Sequence, residues 1–273
     1  MKPLQARVFQ TDVGVLKQEF DIKVIKKQVD NYNYGGALSS LQESALANDR
    51  LIALLKYGQY RMNFDFNRAF SEIQPFANVE AELASDIAPL RQRDLSAIAK
   101  EIYFNALIKY HKQQYSEFLV EVSQFQECVL AYLIKTKFQI DLPDSYASTS
   151  TFWRDVKQFD AGKPYKHLAD AYQQRGWELS ARGFPSRPAL IELLDFYSGY
   201  VKVIPSLREL NEYCEQRNRR LHKFEGVSEI EDADRLLSNL RSILRNIVKI
   251  PDRSPFDILN QKIMSLLTIS PNP

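Results

Sequence analysis

The stretch of this chain best equipped for chemistry is Arg217, Asn218, Arg219, Arg220, Leu221 and His222, followed by Lys223 and a stop signal at Gly226. A histidine titrates near neutrality and moves protons, and an arginine stays charged and grips a phosphate with two donors. Together they suit cleavage of RNA without a metal. In that reaction the 2′-OH attacks the adjacent phosphorus, one group moves protons and a cation offsets the charge growing on the phosphate oxygens. The chemistry gives proton transfer to His222, the phosphate to Arg217, and the orientation of imidazole or phosphate to Asn218. Arg219, Arg220 and Lys223 then either hold RNA backbone or form a solvated basic face. His222 can equally be an exposed helix-end residue favoured by the macrodipole. On one continuous helix Arg217 and His222 diverge by about 140°. Either the helix ends between them or a second chain completes the site.

Other chemistries find little support. There is no phosphate-binding Gly-Lys-Ser/Thr loop and no nucleophile elbow. His111 and His167 have no acid or nucleophile partner legible in the sequence. The acids Glu229, Glu231, Asp232 and Asp234 read as helix capping and dipole compensation. No metal or cofactor is therefore expected. The two cysteines, Cys128 and Cys214, lie far apart with no ligand partner, as in a reduced cytoplasmic protein. Met1 to Gln10 has no apolar signal core, and no run of about 18 apolar residues occurs anywhere, so neither secretion by that route nor a membrane span is expected.

The elements that must position the motif are helical. With 45% hydrophobic and 26% charged residues over 273, the chain should fold throughout, and 9 Gly and 12 Pro are too few for an all-β protein. The net charge of +2 leaves any polyanion site to local clustering. Residues 31–42 repeat at 63–74: Tyr32 matches Phe64, Tyr34 matches Phe66, Ala37 matches Ala69, Leu41 matches Ile73. That spacing is one helix face with a small residue where a neighbour comes close, and its period resembles tetratricopeptide-type hairpins. Asp94–Lys112 and Gln114–Phe138 read as long helices, the second carrying Phe118, Val122, Phe125, Val129 and Leu133 as a core stripe. From 139 to 188 the pattern weakens into an irregular insertion with a short helix around Tyr165–Ala181. A helix over Ala189–Tyr200 follows, then one opening at Pro205 with Leu207, Leu210, Cys214, Arg217 and Leu221 in line. Ser228 to Glu231 reads as a capping box for a helix running to Lys249, and Ser254-Pro255 opens a last one.

The Arg217-Asn218…His222 pattern at the end of a core helix resembles the HEPN ribonucleases of CRISPR defence and toxin–antitoxin modules. The pattern Asp94-Leu95 to Asn105-Ala106, then Tyr115 with Glu127 twelve residues later, resembles the paired helices of a CRISPR-associated branch, as does Phe64 to Phe70. That branch usually spaces Arg and His more widely and follows the His with Gly, whereas Lys223 stands here. The resemblance implies an all-α fold: helical hairpins over 1–92, then a HEPN-type bundle over 93–273. It also implies an endoribonuclease cutting single-stranded RNA to 2′,3′-cyclic phosphate ends in cytoplasmic antiviral defence, acting as a homodimer. Glu127 is either a support to that site or a salt-bridging surface residue. The cyclic-oligoadenylate sensor normal in the branch has no βαβ counterpart in this sequence. The other readings are a non-catalytic helical scaffold binding protein or RNA, and a HEPN toxin.

Overall fold

A computed structural model describes residues 13–222 and 226–267, apart from the side chains of residues 216, 217 and 219–222. Among the described residues every regular element is helical. In chain order these are α1 (Val13–Asp30), α2 (Tyr34–Gln42), α3 (Asp49–Met62), α4 (Phe66–Ile73), α5 (Ala81–Arg91), α6 (Leu95–His111) and α7 (Tyr115–Phe138). They are followed by α8 (Tyr146–Gln158), α9 (Lys163–Gln174), α10 (Arg187–Asp195), α11 (Ile204–His222), α12 (Ala233–Arg245) and α13 (Pro255–Leu266). Two compact units result, one of residues 1–92 with 253–273 and one of 93–252. None of the described helices is long and apolar enough to cross a membrane.

In the first unit the 32-residue repeat is a repeated corner. Tyr32 and Phe64 both sit in the left-handed region, at φ 53° and 57°. The next amides, of Asn33 and Asp65, donate back to Gln28 O at 2.9 Å and Tyr60 O at 3.0 Å, closing the preceding helix in the six-to-one manner. The Asn33 and Asp65 side chains then accept from the amides of Gly36 and Arg68, capping α2 and α4. A left-handed non-glycine residue costs about 1 kcal/mol, and here the conformation recruits the side chain to other work. The Tyr32 hydroxyl donates to Asp257 at 2.6 Å and the Tyr34 hydroxyl to Asn260 at 2.8 Å. Tyr34 is wholly buried because Gly58 on α3 leaves room for its ring.

Those two tyrosines also explain a departure from the expected 93–273 grouping. The last helix, α13, packs within the first unit. Ser254 and Pro255 open it as the sequence suggests, with the Ser254 hydroxyl accepting from Phe256 N. Its partners lie about two hundred residues upstream. Besides the tyrosine bonds, Asn260 donates to Val29 O, and the fully buried Phe256 lies under the guanidinium of Arg61 at 5.3 Å. Arg61 is itself buried, ion-paired to Asp86 at 2.7 Å and donating to the Tyr57 hydroxyl at 2.6 Å.

The second unit is built on α7. Phe118, Val122, Phe125 and Val129 are fully buried along it, and it packs on α6, α10 and α11. Gln113, left-handed at φ 57°, makes the α6–α7 corner with Gln114 N bonded to Lys109 O, the same turn that separates α1 from α2. Residues 139–188 are more regular than the irregular insertion expected. They hold α8 and α9, joined by a short 3-10 turn in which Asp160 and Ala161 have positive φ. The polar run Ser148 to Thr151 belongs to α8, where Ser145 and Ser148 form a capping box and Thr149 bonds Tyr146 O and Arg182 O. Trp153 anchors the region by donating to Gly183 O at 2.8 Å. The expected helix over Tyr165–Ala181 stops earlier, at Gln174, where Gly176 supplies the left-handed stop. The expected capping box at Ser228–Glu231 does not form either. α12 starts at Ala233 after a left-handed Asp232, because Asp232 breaks the helical path that the box requires.

Candidate functional site

The motif lies on the last turns of α11. Leu207, Leu210 and Cys214 are buried at three- and four-residue steps and seat this helix against α7, α10 and α12. Polar contacts fix its position. The buried Gln126 of α7 donates to Leu207 O at 2.9 Å. Arg208 donates to Asp195 at 2.7 Å and Glu192 at 3.0 Å on α10, and Glu209 takes Arg235 of α12 at 2.7 Å. The side chains of Arg217, Arg219, Arg220 and His222, and the whole of Lys223, lie outside the described residues. Asn218 is described and exposed.

The backbone nonetheless decides one question. α11 runs as one helix from Ile204 to His222, so it does not end between Arg217 and His222. Five residues turn about 500° and rise about 7.5 Å, which places the two positions about 140° apart around the axis.

Glu127 does not stand alone on the surface of α7. Its carboxylate pairs with Arg187 at the first position of α10, and the same guanidinium donates to Ser123 Oγ at 2.5 Å. The described role is thus to tie α10 to α7. α10 in turn runs antiparallel to α11, since Pro188 shares a groove with Glu212 and Glu215 while Asp195 meets Arg208. Arg187 was not singled out by sequence, because its partners are 60 and more residues away.

His167 corrects the expectation that it has no acid partner. It stands with Glu192 and Asp195, their ligand atoms within 4.8 Å of one another, and its Nε2 is buried without a hydrogen-bond partner among the described residues. The group has the composition of a metal centre. However, the 4%-exposed Glu192 already accepts from Arg175 at 2.9 Å and from Arg208, and a divalent ion would face both guanidinium groups. The cluster acts as an ion-pair node holding α9, α10 and α11 together. Its residues are separated by 25 and 3 positions, a spacing that carries no sequence signal.

Two further groups have shifted protonation. Burial pushes the Glu121 carboxyl up to about 7, with Lys109 opposing the shift. Burial likewise raises the Cys128 thiol to about 12, and its Sγ donates to Leu95 O. Neither cysteine forms a disulfide among the described residues, and Cys128 is held as an unreactive thiol.

Comparison with known proteins bears on this arrangement of a bundle with a polar motif at a helix end. The family model of the Cas_Csm6 HEPN domain matches residues 88–266, most of the chain and the whole of α11. The chain belongs to the Csm6 HEPN family of CRISPR-associated proteins. The model of the CRISPR-associated protein Csm6 6H domain matches residues 13–62, the helices α1 to α3. Among solved structures, Enterococcus italicus Csm6 bound to cyclic hexa-2′-fluoro-hexa-dAMP is similar in fold, with a TM-score of 0.66 at 15% identity. The alignment covers 96% of this chain and 61% of that one, so the chain spans about three-fifths of that relative's length. No curated protein matches the chain. The all-α HEPN fold with a preceding helical domain, expected from sequence, is the fold observed.

Proposed function

We propose that this Csm6-family chain is the RNA-cutting part of a CRISPR-associated antiviral effector, a metal-independent endoribonuclease for single-stranded RNA. The observation that supports this reading most is the match to the Csm6 HEPN family over a span that contains Arg217, Asn218 and His222 on the last turns of α11. His222 moves the proton of the 2′-OH, Arg217 takes the charge on the phosphate oxygens, and Asn218 orients one or the other. The products carry 2′,3′-cyclic phosphate and 5′-hydroxyl ends. Arg219, Arg220 and Lys223 hold the flanking RNA backbone. The chain works in the cytoplasm as a homodimer, and an activator of the cyclic oligoadenylate class is carried over from the relative's bound ligand.

The test is a gel of end-labelled RNA incubated with wild-type, Arg217→Ala and His222→Ala proteins, with and without EDTA. Cleavage by wild type in EDTA, loss in both variants, and survival of a DNA of the same sequence are the expected results. Cleavage that disappears in EDTA and returns with magnesium would overturn the mechanism. Intact cleavage by His222→Ala would overturn the site.

A further inference from the structure

A groove of about 730 Å³ runs between α6 and α12, within the second unit, and none of its residues belongs to the motif. Tyr103 of α6 forms one wall; Asp234, Ser238, Arg241, Ser242 and Arg245 of α12 form the other. Arg241 and Arg245 are one helical turn apart and both exposed. Arg50, Arg175, Arg187, Arg208 and Arg235 each meet a carboxylate. Arg241 and Arg245 meet none among the described residues. Facing them, Tyr103 is 5% exposed. Burial raises the pKa of its hydroxyl, and the charges of Arg241 and Arg245, which line the same groove, oppose that shift. That hydroxyl has no hydrogen-bond partner among the described residues, and Ser238 and Ser242 place two more hydroxyls on the same face.

The groove alongside α10 and α11 is the contrasting case. Its two arginines, Arg175 and Arg208, already pair with Glu192, and Glu212 and Glu215 add further negative charge. It repels a polyanion. The α6–α12 groove holds two uncompensated cations against the single acid Asp234, with hydroxyl donors around them.

Resting on the ribonuclease reading, we propose that the α6–α12 groove is an exosite for the phosphodiester backbone of the RNA substrate. Arg241 and Arg245 take neighbouring phosphates, and Tyr103, Ser238 and Ser242 donate to the same oxygens. Groups at i and i+4 stand about 5–6 Å apart at their Cβ atoms, close to the interval between successive phosphates of a strand. The Glu209–Arg235 pair and the Ser206–Asn239 hydrogen bond set α11 and α12 antiparallel. Arg241 therefore lies beyond the level of Ser206, away from the motif. At about 1.5 Å per residue the two sites are on the order of 20 Å apart along the helices. At the same 5–6 Å per phosphate, about four steps span that distance, so a four-nucleotide RNA, with three steps, does not reach both.

The experiment measures fluorescence anisotropy of labelled 12-nucleotide and 4-nucleotide RNAs across a salt series, with all proteins carrying His222→Ala so that binding is read without cleavage. Adding Arg241→Ala and Arg245→Ala should weaken 12-mer binding about tenfold and reduce its log–log salt slope by about 1.4, two contacts at about 0.7 each. The 4-mer should be unaffected, the Arg241→Lys/Arg245→Lys protein should keep the slope, and melting should remain near the parent. Unchanged 12-mer binding, equal loss for both lengths, or a changed oligomeric state by light scattering with binding intact would overturn the exosite. A parent protein that binds no RNA would overturn it as well. Binding with no cleavage by wild type would instead reject the ribonuclease reading and leave the groove assignment standing.

Discussion

Mixing active and inactive subunits gives the sharpest consequence of the unbroken α11. Arg217 and His222 sit about 140° apart on a helix about 10–12 Å wide with its side chains, and about 7.5 Å apart along the axis. Groups carried on opposite sides of such a cylinder are on the order of 12 Å apart, several times the reach of a hydrogen bond to one phosphate. In the proposed homodimer a two-fold axis would bring the same helix end of a second chain face to face, so that both Arg217 and both His222 would surround one phosphate. The predicted perturbation is titration of wild-type chains with His222→Ala chains by co-expression under two affinity tags. If one centre needs both chains, activity falls as the square of the wild-type fraction, to about 25% at equal mixing. If each chain carries its own centre, it falls linearly, to about 50%. The assay is initial-rate cleavage of a fluorogenic RNA, with the subunit ratio read by mass spectrometry. A linear titration would refute the composite site while leaving the family assignment intact.

Two further outcomes concern the scaffold. Gly58→Ala would place a Cβ 2.7 Å from the Tyr34 ring, which cannot retreat because its hydroxyl is held by Asn260. Overpacking of about 1–3 kcal/mol exceeds the ~1 kcal/mol that alanine gains in helix propensity, so the melting temperature should fall, and an unchanged or higher value would refute the packing argument. Glu121→Gln should depend on pH. With the folded carboxyl raised to about 7 against an ordinary value of 4.5, the folded state binds the extra proton between these values. Wild-type stability is therefore full below the lower value and falls as pH rises through the upper one. The variant should be more stable than wild type at pH 8 by roughly 1–2 kcal/mol, after allowance for the carboxyl's partial exposure, and level with it at pH 4. Equal differences at both pH values in thermal melts would refute the desolvation assignment.

What the sequence determined is what helical periodicity and local capping can carry. The stripe from Phe118 to Val129 marked α7 as central, and its residues are fully buried. Asp94 and Ser254 marked helix starts, and both side chains accept the expected amide bonds. The repeat of 31–42 at 63–74 marked one helix face, and Ala37, Leu41, Ala69 and Ile73 are fully buried on α2 and α4, while the left-handed corners at Tyr32 and Phe64 came from the structure alone. The motif's residue types and its place at a helix end were legible for the same reason, and so was the family resemblance. Local signals misled where polar residues do two jobs. Ser148 to Thr151 fall in the stretch expected to be irregular but cap and line α8, whereas Ser228 to Glu231 looked like a cap but precede a left-handed turn. Tertiary structure alone decided the packing of α13 with Tyr32 and Tyr34, the pairing of Glu127 with Arg187, the gathering of His167 with Glu192 and Asp195, and the arginines left unpaired beside Tyr103. Each of these joins side chains from different helices across separations that leave no periodic trace. Helix formation depends on neighbours three and four residues apart, whereas the charge around a site depends on which helix faces the chain brings together.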